Sequence, residues 1–112
     1  MRTEQYISKQ ELLGKIKSLV KNERKCTAEI IRHLQIVYER NIHLEMGYSS
    51  IFEFCVKELG YSNSSAHRRV SALRLAKDLP EVATKIEQEK LSLSTASQLS
   101  SFFYQEKNAD TS

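Results

Sequence analysis

The chain has 112 residues, 40% of them hydrophobic and 28% charged, and its 17 basic and 14 acidic side chains leave a net charge of +3. That length accounts for one globular domain, and a second independent core is not expected. Three glycines and one proline are too few for the turns of a sandwich or barrel. No run of six apolar residues occurs, so neither a membrane span nor a signal-peptide core is expected, and the chain reads as cytoplasmic.

Leu, Ile, Glu, Lys, Gln, Arg and Ala favour helix, and the elements follow in order as helices. Ser8 and Glu11 form a capping box before a first amphipathic helix with Leu12, Ile16, Leu19 and Val20 on one face, ending near Arg24. Thr27 reads as a second N-cap. From it a stripe of Ile30, Ile31, Leu34, Val37, Tyr38 and Ile42 runs to about Met46, and Gly47 closes the helix. Ser50 and Glu53 open a short helix over 51–59 that Gly60 ends, and Ser62 caps the next. Pro80 suits the first turn of a fifth helix, and Ser92 starts a last one lined by Leu93, Ala96, Leu99, Phe102 and Phe103.

No segment keeps a period of two. The expected fold is all-α, with about six helices in a single domain over 1–107. Long N-terminal helices occupy 1–46, a helix-turn-helix 50–77 and C-terminal helices 80–105, with a disordered tail at 108–112. Cys26 and Cys55 stand apart; their spacing leaves a disulfide open, and a reduced pair is the expectation. His43 and Glu45 fall on different helix faces, so no metal site is expected.

The segment 51–75 is the informative one. Helix, glycine, short corner and helix make the outline of a helix-turn-helix, with Gly60 supplying the positive φ of the turn. Residues 62–77 hold four cations (Arg68, Arg69, Arg74 and Lys77) and no acid. With Ala66 buried, Ser64, Arg68 and Ser71 turn most nearly away from the core, and His67 and Arg74 lie on a flank. The expected contacts to double-stranded DNA are therefore Ser62, Asn63, Ser64, Ser65, His67, Arg68, Arg69, Ser71 and Arg74. They lie on a recognition helix over about 63–77 in the major groove, although Arg69 turns partly inward. Paired amphipathic helices joined by glycine also occur in proteins that never meet DNA, so an interaction or dimerisation module is the alternative. The apolar surface of the long N-terminal helices suits a homodimer.

Leu59-Gly-Tyr-Ser62, Val70-Ser-Ala-Leu-Arg-Leu75, Leu79-Pro-Glu-Val82 and Lys90-Leu-Ser-Leu93 with Ala96 resemble the helix-turn-helix region of ParB-like partition proteins. Tyr61 stands where that family has a basic residue, one extra residue precedes Pro80, and Glu89 takes a place where glycine is common. The family's paired arginines for nucleotide have no counterpart, so a CTP-driven clamp is not implied. A closer resemblance covers about 34–104. Leu34 to Tyr38, Gly47-Tyr-Ser-Ser-Ile-Phe-Glu-Phe54, the Leu59–Ser62 corner and Ala66-His-Arg-Arg-Val70 look like the bacterial helical module that precedes HNH nuclease domains. No histidine-asparagine-histidine set follows Phe103, so the resemblance implies a DNA-engaging module without its nuclease. No catalytic constellation, glycine-rich phosphate loop or metal-ligand spacing is present, and neither an enzyme nor a cofactor is expected.

Overall fold

A computed structural model of the chain describes residues 7–110, with side-chain detail through Gln105. Among the described residues there are six helices and no strand: α1 Lys9–Glu39, α2 Ile42–Glu45, α3, which starts as Ile51–Glu53 and continues as a π-helical turn over Phe54–Glu58, α4 Asn63–Asp78, α5 Glu81–Glu87 and α6 Leu93–Asp110. The all-α expectation holds. None of these helices is long and apolar enough to cross a membrane. Residues 1–6 of the expected N-terminal helices fall outside the described residues, as do residues 111–112 of the expected tail. Residues 108–110 are the end of α6, which corrects the disordered reading of that stretch.

The first two expected helices are one. α1 runs unbroken for 31 residues, about 46 Å at the α-helical rise. Thr27 is no N-cap, because its hydroxyl donates to the Glu23 carbonyl one turn back (3.0 Å), inside a continuous helix. Nothing between Lys15 and Glu39 is glycine or proline, so no local residue forces a stop. The break comes later, at Asn41, whose left-handed backbone (φ 54°) is tolerated by asparagine. It separates α2 from α1 and lets His43 tuck beneath Tyr38, with the rings 5.9 Å apart and nearly parallel.

The capping residues behave as their chemistry requires. Ser8, Ser50 and Ser62 accept from the amides of Glu11, Glu53 and Ser65 at 3.0–3.2 Å, and Ser92 accepts from Thr95. The Glu53 carboxylate reaches back to the Ser49 amide, and that bond chiefly lowers its pKa. Gly60 (φ 80°) closes α3 with the Tyr61 amide donating to the Cys55 carbonyl, a glycine-dependent stop.

Packing centres on α4, which lies against α6 and also touches α1, α3 and α5. Val70, Ser71, Ala72, Leu73, Leu75 and Ala76 are all buried, so the second half of this helix keeps only Arg74, Lys77 and Asp78 exposed. Ile31 and Leu34 of α1, Ile51 and Cys55 of α3, Val82 and Ile86 of α5, and Ala96 of α6 complete the core. α5 and the turn after it are held to α1 by ion pairs of Arg32 with Glu87 and Arg24 with Glu89. Both cysteines are free, Cys26 exposed and Cys55 buried, and burial pushes the Cys55 thiol upward.

The N-terminal arm of α1 stands apart from this core. Leu12, Leu13, Ile16 and Leu19 remain 47–58% exposed, and the molecule extends 62 Å in its longest dimension. Phe102, expected on the packed side of the last helix, is exposed as well, and so is Phe52.

Candidate nucleic-acid interface

The start of α4 is built by its cap. With Ser62 engaged by the Ser65 amide and Ala66 bonded to the Ser62 carbonyl, the amides of Asn63 and Ser64 are left at the open end of the helix. Ser62, Asn63, Ser64 and His67 are exposed, while Ser65 and Arg68 are half-buried. No acidic residue lies in the first turn, and none occurs from Leu59 to Lys77. Small hydroxyl and amide side chains, free N–H donors and the positive end of the helix dipole thus share one surface with Arg68.

The nine residues expected to touch DNA do not form one face. Ser71 is a correction: it is 8% exposed, because α6 and α1 cover the side of α4 that a lone helix would turn to solvent. Arg69 is occupied internally. Its guanidinium sits 4.3 Å over the Tyr61 ring and donates to the Ser65 carbonyl (3.0 Å), and its buried Nε has no partner. Arg74 is exposed, yet it lines a hollow of about 420 Å³ shared with α1 and α6 rather than the open end of α4. His67 lies on the wall of that hollow too. The surface patch therefore comprises Ser62, Asn63, Ser64, Ser65, His67 and Arg68.

The hollow contains residues that sequence reasoning did not group. Tyr38 of α1 and Ser100 and Tyr104 of α6 join Ser71, Arg74 and Lys77 there. The Tyr104 hydroxyl donates to Asp78 (2.8 Å) and lies 3.0 Å from the Arg74 carbonyl, tying α6 to α4. Burial, then the bond to Asp78, pushes its pKa up to about 12. Only the count of cations over 62–77 pointed toward Lys77; the tyrosines come from helices far away in sequence.

Glu89 follows α5 in the left-handed region (φ 67°), which costs a non-glycine residue about 1–2 kcal/mol. A glycine at that place would adopt it freely. Among the described residues no group of three or more histidine, cysteine or acidic side chains could hold a metal ion. These features define an all-helical protein with a cationic, acid-free helix start. No family model, curated protein or solved structure matches the chain.

Proposed function

We propose that this protein is a non-enzymatic DNA-binding protein of the bacterial cytoplasm, engaging double-stranded DNA with the N-terminal end of α4. The observation that carries the reading is the exposed start of that helix, with Asn63, Ser64 and His67 open, Arg68 beside them and no acid from Leu59 to Lys77. Helix-turn-helix proteins read base edges chiefly with the first residues of the second helix, which is the part of α4 left uncovered. The turn at Gly60 and the left-handed Glu89, placed where ParB-like proteins commonly carry glycine, support the resemblance.

Arg68→Ala should weaken binding by about 1–3 kcal/mol at a preferred site if the guanidinium meets a base edge. A phosphate contact would weaken all sites alike and lower the salt slope by about one. Circular dichroism and melting should stay near those of the parent, and Lys85→Ala, an exposed position of α5, should bind normally. Gel shifts on genomic fragments at several salt concentrations check this. Equal binding by Arg68→Ala and parent would remove the proposed contact.

The bare arm of α1 favours a second reading that is compatible with the first, namely self-association with another copy of this chain. Leu12, Leu13, Ile16 and Leu19 continue the face that Ile31 and Leu34 bury further along the same helix. A two-fold dimer would pair these arms and present two α4 ends to DNA, as helix-turn-helix dimers do. The double substitution Ile16→Ser with Leu19→Ser should raise the dimer dissociation constant by more than about tenfold in sedimentation. A parent protein that stays monomeric at every concentration, with and without DNA, would end this reading.

A further inference from the structure

We propose that the hollow between α1, α4 and α6 binds a small phosphomonoester carrying an aromatic ring, a role separate from DNA contact at the open end of α4. At about 420 Å³ the hollow has the size of small-ligand sites, which run from roughly 300 to 1,000 Å³. Its wall combines two tyrosines, Tyr38 and Tyr104, with Arg74, Lys77 and two serines, Ser71 and Ser100.

The serines supply donors. Ser71 and Ser100 are 8% and 4% exposed and line the hollow. A serine hydroxyl can donate to an acceptor that arrives there.

Charge supplies the second part. Neither Arg74 nor Lys77 is held in an ion pair among the described residues. Glu39 is the one carboxylate on the wall, while nearby Asp78 accepts from Tyr104. A second hollow, of about 510 Å³, adjoins the first and shares Tyr38, Glu39, Arg74 and Lys77 with it. The two cations therefore stand where the hollows meet.

A guanidinium, an ammonium and two hydroxyls offer more donors than a carboxylate's two oxygens use, and they suit the three acceptor oxygens of a phosphomonoester. The ring of the ligand would lie in the first hollow beside Tyr38 and Tyr104, whose rings are already fixed. Tyr38 stacks on buried His43, and Tyr104 is anchored through its hydroxyl to Asp78.

Phenyl phosphate is the probe, added to the full chain and followed by amide chemical shifts and calorimetry, with phenol and inorganic phosphate in parallel. Phenyl phosphate should move the amides of Ser71, Arg74 and Ser100, and each half-probe should bind at least about tenfold more weakly. Arg74→Ala should weaken phenyl phosphate by about tenfold or more with an unchanged helical spectrum. Lys77→Ala provides the same test should Arg74→Ala fold poorly. Normal binding by the folded cation variant, equal binding of inorganic phosphate alone, or shifts confined to other residues would each overturn the proposal. DNA gel shifts by Arg74→Ala should remain near parental, which separates failure here from failure of the DNA reading.

Discussion

Leu75→Ala should lower the unfolding free energy by about 2–5 kcal/mol, the range for truncating a buried leucine. At 100° per residue, Leu75 points to the side of α4 opposite Ala66, where a surface-mounted recognition helix would meet solvent. In this fold Leu75 is 1% exposed, because α6 lies over it with Leu99, Phe102 and Phe103. Truncation would leave a cavity that the enclosing helices close only in part. Phe102→Ser, at a position 61% exposed, is the comparison and should cost under about 1 kcal/mol. Urea unfolding followed by circular dichroism reads both. A cost for Leu75→Ala near that of Phe102→Ser would mean that α6 does not cover α4.

Cys26→Pro should be the most disruptive change among exposed positions. Proline in a helix interior removes one backbone hydrogen bond and clashes with the carbonyl four residues earlier, at a cost of about 3 kcal/mol or more. Here that carbonyl is Asn22's, inside α1. The arm N-terminal to residue 22 has little packing, and a detached helix of that length is marginal in water. The expected result is a loss of roughly a fifth of the helical ellipticity, with the arm lost first. Were residues 24–27 a linker between two helices, the same substitution would change neither ellipticity nor stability. Measured spectra of the variant and parent decide between these.

The helix joining shows why local reading stops where it does. Thr27 followed by Glu29 satisfies every requirement of an N-cap, and a threonine hydroxyl can equally bond back to the carbonyl one turn earlier. Both options are local, and their free energies differ little. The stripe that runs through Ile31 and Leu34 onto α4 and α5 rewards one straight helix, and that reward is tertiary. The break at Asn41 was equally hidden, since it depends on His43 finding a buried place against Tyr38. By contrast, the helix starts at Ser8, Ser50, Ser62 and Ser92 and the glycine stops at Gly47 and Gly60 were legible. Each is settled by a side chain or a φ angle within a few residues.

The candidate site divides along the same line. Ser62, Asn63, Ser64, His67 and Arg68 follow from the cap and the helix period, so sequence located them at the start of α4. Ser71 and Arg74 followed from the same period and came out differently, one buried and one at the edge of a hollow. A helical wheel assigns one inward face, whereas α4 is contacted by four neighbouring helices and beyond its first turns keeps only Arg74, Lys77 and Asp78 exposed. By itself, then, the sequence determined the all-helical class, the capped boundaries and the acid-free helix start, because composition, caps and periodicity are local. Only the tertiary structure decided that α1 is one long helix, that its arm is bare, and that Tyr38, Arg74 and Tyr104 share a hollow. Those outcomes depend on which faces of distant helices bury one another, and that choice is a property of the whole packed core.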